Sequence, residues 1–195
     1  EVHGVTLSPS QLAWAEERLR VAGLDGQVRL ELRDYRDLSG EYDHIASIEM
    51  IEAVGHDFLP TYFQTCDRLL KAGGRLAIQA IVMPEQRYES YRRSADFIQK
   101  YVFPGGHLPS IAAMQQAVAQ GTRLQLVDSL QFAESYARTL REWRTRFHAR
   151  RDDVRRFGFD ERFLRLWEFY LCYCEAAFLE RAVGVGQFVW EKTKY

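Results

Sequence analysis

Apolar positions recur along this chain at two spacings, and the changes between them mark out its elements. Val2 to Leu7 reads as a buried strand. Ser8, Pro9 and Gln11 then form a helix start: a capping serine, a proline at the first helical position and a glutamine that completes a Ser-x-x-Gln box. Leu12, Ala15 and Leu19 follow at helical spacing, and Gly23 is the expected stop. Val28 to Leu32 alternates like a strand. From Tyr42, the apolar run Ile45, Ala46 and Ile48 predicts a strand covered on both faces. Asp57 is placed to cap the next helix, with Phe58, Tyr62, Cys66 and Leu69 on one face and Lys71 and Gly73 at its end. Gly74 to Val82 is another buried strand. The order strand, helix, strand, strand, helix, strand predicts an α/β fold built on a parallel sheet with covering helices.

Pro84 to Ser110 breaks this rhythm with a charged aromatic helix (Tyr88, Tyr91, Phe97, Tyr101) and a Pro-Gly-Gly turn. A short helix is expected from Ser110 to Ala119, a strand over Leu124 to Leu130, helices over Ser135 to Arg151 and Asp160 to Arg181, and a closing strand over Gly186 to Lys192. One domain is therefore expected over 1–195, with a helical insertion near 83–122 and C-terminal helices near 135–182.

The 195 residues are enough for one α/β domain with a core. A net charge of −1 supplies no global field toward nucleic acid or anionic membranes. No apolar run is long enough to span a bilayer. Cys66, Cys172 and Cys174 lack metal-ligand spacing and fit a reducing cytosol, so no metal is expected. The chain opens directly into strand-like sequence without a Met, as a piece of a longer protein would.

Two acids stand where the strand from Tyr42 should end, Glu49 and Glu52. Ligands of open α/β sheets bind outside the carboxyl ends of strands, so these acids are either site residues or a solvated pair. No glycine-rich turn follows any early strand, and Gly184-x-Gly186 has no helix after it.

Five blocks carry a resemblance: Gly4 to Gln11, Asp34 to Asp37, Ser47 to His56 (SIEMIEAVGH), Tyr101 to Ser110 (YVFPGGHLPS) and Tyr136 to Trp143 (YARTLREW). In this order they resemble the cyclopropane-fatty-acyl-phospholipid synthase family of S-adenosylmethionine-dependent methyltransferases, over nearly the whole chain. The resemblance implies a class I methyltransferase-like, Rossmann-like sheet. It also implies that the first strand, its glycine loop and an active-site cysteine lie upstream of Glu1. This stretch alone is then expected to be inactive, its open slot filled by a longer chain or a partner, a homo-oligomer included.

The implied reaction transfers a methyl from S-adenosylmethionine to the double bond of an unsaturated phospholipid acyl chain; proton loss then closes a cyclopropane ring. It needs a dry channel, electron-rich groups beside passing positive charge, and a base, which in this family is a bicarbonate ion. By the resemblance, Thr6, Leu7, Ser8 and Gln11 lie near the ribose and methionine of the cofactor, and Asp34 and Tyr35 hold its adenine. Gln11 also has its capping role. Glu52 and Tyr136 match the bicarbonate site, and Ile48 and Ile81 match backbone positions lining the same pocket. Gln79 stands where many members have a histidine; it is a supporting donor and no proton shuttle. Cys174 matches a cysteine once regarded as the nucleophile, and in mid-helix it also reads as a buried structural thiol.

Leu166, Phe169, Tyr170, Tyr173 and Phe178 are expected to line an acyl tunnel or to be plain core. Arg141, Arg144, Arg146, Arg150, Arg151, Arg155 and Arg156 form a basic run, diluted by Asp152 and Asp153, that meets phosphate headgroups or is a solvated face. Peripheral membrane contact from the cytoplasm is the expected setting, without nucleic acid. The other readings are methylation without ring closure, methylation of another apolar acceptor, and a non-catalytic module that binds lipid or a partner chain.

Overall fold

The computed structural model describes residues 1–194 and divides the chain into two compact units, residues 1–42 and the remainder from Asp43. In the first unit, β1 (Val2–Thr6) and β2 (Val28–Leu32) pair in parallel, Val2 opposite Val28 and Thr6 opposite Leu32, joined through α1 (Pro9–Ala22). In α1, Leu12, Ala15 and Leu19 are half-buried, as their spacing predicts. Ser8 caps the helix by accepting from the backbone N–H of Gln11, and Gly23 closes it at φ 66°. The capping box is only half made, because the Gln11 side chain bonds Thr6 instead. The expected burial of β1 is also corrected: Val2 is 58 % exposed, and the described residues add no third strand to this sheet.

The second unit is built on a four-stranded sheet in the order β3-β4-β6-β5. Its strands are β3 (Tyr42–Ile48), β4 (Leu70–Val82), β5 (Leu124–Gln131) and β6 (Gly184–Lys192). β4 and β5 both run antiparallel to β6, so the sheet is mixed and the expectation of a purely parallel sheet is corrected, while β1 and β2 do pair in parallel. Among the described residues β3 is the edge strand of this sheet, and its burial pattern, with Ile48 61 % exposed, corrects the expectation of a strand covered on both faces.

Two helical layers cover this sheet. On one face, α2 (Leu59–Leu69) buries Tyr62, Phe63, Cys66 and Leu69, with Phe63 edge-on to Trp190 at 5.4 Å. Leu76, Ile78 and Ala80 of β4 and Phe188 and Trp190 of β6 are fully buried, Leu76, Ile78 and Phe188 each contributing about 1.5–3 kcal/mol of transfer free energy. Asp57 does not cap α2, and Phe58 is exposed, because a 3₁₀ turn over His56–Phe58 leads into the helix. The aromatic insertion is two short helices, α3 (Glu85–Tyr91) and α4 (Phe97–Tyr101), followed by α5 (Ile111–Ala119), which Ser110 caps.

On the other face lie α6 (Ala133–Ala149), α7 (Arg151–Arg156) and α8 (Glu161–Leu179). Ala137, Leu140, Leu171, Phe178 and Val185 form a core there, with Ile81, Tyr136, Tyr170 and Cys174 packed against it. Side chains alternate along β4, so Gln79 and Ile81 share a half-buried face while Ile78, Ala80 and Val82 point into the opposite core.

Candidate functional site

In the first unit, the turn after β1 holds Thr6, Leu7, Ser8 and Gln11. The Thr6 hydroxyl accepts from the Ser8 backbone N–H at 3.1 Å and donates to Oε1 of Gln11 at 3.0 Å. That leaves the Gln11 amide nitrogen as a donor beside a cleft lined by Gly4, Thr6, Gln11, Trp14 and Leu30. A Cβ at Gly4 would stand 2.7 Å from Leu30 Cδ2, so a larger residue there would make the Leu30 side chain shift. Leu7 is 70 % exposed. A hydroxyl, an amide and an apolar wall fit a nucleoside-bearing ligand. Asp34, at the end of β2, accepts from the Arg36 backbone and guanidinium at 2.9, 3.0 and 2.6 Å. The Arg36 guanidinium holds its carboxyl below the usual carboxylate range. Asp34 thus remains an anion with capacity to accept one more donor. Tyr35 begins the 3₁₀ turn that follows.

In the second unit, a polar cluster forms where β3 ends. Glu49 takes φ 51°, one of two non-glycine residues with positive φ among those described. Its backbone N–H donates to the Gln79 carbonyl at 2.9 Å. Its carboxylate accepts from Gln79 Nε2 at 2.8 Å and from the Tyr136 hydroxyl at 2.7 Å. Gln79 is oriented in turn by its cross-strand neighbour Gln187, whose Nε2 donates to Gln79 Oε1 at 3.0 Å. The Tyr136 ring lies 4.7 Å from that of Phe178. Burial, then the bond to Glu49, pushes the Tyr136 phenol well above its usual range, so it stays a donor.

Glu52, in the next 3₁₀ turn, accepts from the Ile81 backbone N–H at 2.7 Å through Oε1. Its Oε2 is buried without a partner. Burial raises its pKa to about 6, against the lowering bond from Ile81. The Glu52 carbonyl accepts from the His107 backbone N–H at 2.7 Å. Behind it, buried Tyr88 bonds His107 Nε2 at 3.0 Å and His56 Nδ1 at 2.7 Å, tying the insertion to the Glu52 turn.

The structure therefore brings Glu52, Gln79, Ile81 and Tyr136 together, along with Glu49, which had no assigned role. Its signal was its place at a strand end; its left-handed backbone carries no sequence mark. Gln79 Nε2, the Ile81 N–H and the Tyr136 hydroxyl, the donors assigned to bicarbonate, are each engaged by a protein carboxylate. The arrangement does not fit an added anion beside Glu49. Ile48 is exposed at the end of β3.

Cys174 packs against the core between α6 and α8, which favours its reading as a structural thiol. Burial pushes its thiol up to about 12, so it stays protonated next to Tyr170 on the same helix. The aromatic run of α8 splits between two faces. Phe178 is core, while Phe169 and Tyr173 are partly exposed and pack on Phe97 of α4 at 4.7 and 5.6 Å. The basic run is largely ion-paired. Arg141 and Arg144 hold Glu175, Arg150 and Arg156 hold Asp153, Arg155 holds Asp152 and Glu161, and Arg151 lies 3.9 Å from Glu168. No cluster that could hold a metal ion occurs among the described residues.

A sequence profile described as mycolic acid cyclopropane synthetase matches residues 1–188. The chain belongs to this family. Over 186 residues it is 46 % identical to the tuberculostearic acid methyltransferase UfaA1 of Mycobacterium tuberculosis, covering 95 % of this chain and 44 % of the relative. It is 35 % identical to the cyclopropane-fatty-acyl-phospholipid synthase of Escherichia coli K12 over 193 residues, 98 % of this chain and 47 % of the relative. The chain thus spans about half the length of these curated relatives. The crystal structure of mycolic acid cyclopropane synthase CmaA1 with SAH and CTAB superposes with a TM-score of 0.88 at 26 % identity, covering 98 % of this chain and 70 % of that one. The crystal structure of a protein described as a sarcosine dimethylglycine methyltransferase from Galdieria sulphuraria shares the fold at a TM-score of 0.79 and 16 % identity. The α/β fold is that of the class I methyltransferases.

Proposed function

We propose that this chain is part of an S-adenosylmethionine-dependent enzyme that adds a one-carbon unit to the double bond of a phospholipid acyl chain and closes a cyclopropane ring. The observation that carries the reading is the half-buried cluster of Glu49, Glu52, Gln79 and Tyr136, which sets carboxylates and a phenol beside aromatic side chains. S-adenosylmethionine, when bound, supplies an electrophilic methyl. Thr6, Ser8 and Gln11 would hold its ribose and methionine side, with Leu7 offering a backbone contact. Asp34 would accept from the adenine amine, with Tyr35 against the ring. Tyr136 and Tyr170 present aromatic surface to a developing carbocation. Glu52, with a pKa near 6, fixes the backbone of Ile81 and keeps one oxygen for a ligand. Phe97, Phe169 and Tyr173 form an apolar surface suited to an acyl chain, and lipid access implies contact with a membrane from the cytoplasm.

A second reading is a methyl branch without ring closure. It is favoured by the 46 % identity to a protein named for tuberculostearic acid methylation. The cofactor half is tested by titrating S-adenosylhomocysteine into the protein at its complete native length. Gln11→Ala is expected to weaken binding at least about tenfold with circular dichroism unchanged, in keeping with the loss of one to two good hydrogen bonds. Absence of binding by the unaltered protein would overturn the reading.

A further inference from the structure

We propose that the Glu49 carboxylate takes the place and the task of the bicarbonate ion, so that the base of this enzyme is built into the chain. The inference rests on the methyl-transfer reading and deepens it.

Three observations converge. The donors Gln79 Nε2 and Tyr136 Oη both end on Glu49, at 2.8 and 2.7 Å, one on each carboxylate oxygen. The remaining backbone donor, Ile81 N–H, ends on Glu52. An exogenous anion would have to displace Glu49 from both partners while lying beside a second carboxyl group. Gln187 further orients the Gln79 amide so that its nitrogen faces Glu49. The backbone is also informative. A non-glycine residue at φ 51° holds a sparsely populated conformation, and such positions gather at functional sites. Glycine would adopt this φ without strain, yet the chain places a glutamate there.

The step balances without another reactant. The alkene electron pair forms the bond to the methyl carbon as the carbon–sulfur pair leaves with sulfur, and the neighbouring carbon becomes cationic. Glu49 then accepts one proton from the new methyl group. The released carbon–hydrogen pair fills the cationic carbon and closes the ring. The Tyr136 hydroxyl stays a donor throughout and, with Gln79, orients the carboxylate.

The test uses Glu49→Gly, which removes the carboxylate and relaxes the backbone, and Glu49→Gln, which keeps the shape and removes the basicity. Binding of ¹³C-bicarbonate, followed by NMR, is measured on the protein at its complete native length. No binding is expected by the unaltered protein, and saturable binding is expected by Glu49→Gly. Bicarbonate-depleted buffer should leave turnover of the unaltered protein unchanged. Both variants should fall at least about a hundredfold, the usual contribution of a positioned base, with added bicarbonate restoring only Glu49→Gly. Saturable bicarbonate binding by the unaltered protein, or full activity of Glu49→Gln, would overturn the proposal. A protein that transfers no methyl group at all fails the functional reading instead, and the binding arm still decides the question of the anion.

Discussion

The Ile81 backbone N–H donates to one oxygen of Glu52 at 2.7 Å, and the other oxygen is buried without a partner. Burial of the charge outweighs the backbone N–H bonds that favour it, which is why the pKa rises from an ordinary 4.5 to about 6. The sign follows directly. Between these values the folded state keeps a proton that the unfolded chain releases, so stability falls as pH rises through the window, and the whole cost is present above it. Glu52→Gln should therefore be more stabilising at pH 8 than at pH 4 by about 2 kcal/mol. Urea denaturation at the two pH values measures this; equal effects at both would show that Glu52 is not raised.

Tyr136→Phe keeps the packing on Phe178 and removes the donor to Glu49. The half-buried carboxylate then loses a charge-assisted bond, at a cost of about 1–3 kcal/mol. Turnover should drop at least about tenfold with little change in KM for the acyl lipid, because the lost bond orients a reacting group and binds no substrate. Chemical denaturation and steady-state kinetics together check both parts. An unchanged kcat would remove Tyr136 from the site.

Glu175 is buried between α6 and α8 and accepts from Arg141 at 2.7 Å and Arg144 at 3.1 Å. These bonds outweigh its desolvation and hold its pKa below the usual range. Its contribution is thus present above the ordinary carboxylate pKa and is lost as pH falls through the lowered value. Glu175→Gln should lower Tm at neutral pH and make little difference near pH 3. The cost at pH 7 should lie at about 1–2 kcal/mol, because Arg141 keeps access to solvent.

Cys174 gives a chemical test. With its thiol at about 12, iodoacetamide at pH 7.5 should leave it unlabelled in the folded protein, as peptide mass spectrometry would show. Cys174→Ala should keep most of the turnover. Rapid labelling with loss of activity would restore the nucleophile reading.

Local order was legible where a single element determines it. The spacing of Leu12, Ala15 and Leu19 located α1, with Ser8 and Gly23 at its ends. Strand direction was not, because alternation is the same in parallel and antiparallel strands; β5 and β6 are antiparallel although three helices separate them in the chain. The burial of β3 was misread because apolar composition cannot tell an edge strand from a central one. In the site, Glu52, Gln79, Ile81 and Tyr136 were legible by resemblance. The bond from Tyr136 to Glu49 joins residues 87 positions apart and required the folded chain. The arginine run looked like a headgroup patch because a sequence shows charges and hides their partners, Glu175 above all.

The most direct test of the account is lipid mass spectrometry after incubating the protein at its complete native length with S-adenosylmethionine and vesicles of monounsaturated phospholipid. The account predicts a cofactor-dependent gain of one methylene unit on the acyl chain, lost in Glu52→Gln, with fragmentation or NMR separating ring from branch. Folded protein that binds the cofactor and leaves every acyl chain unchanged would contradict it.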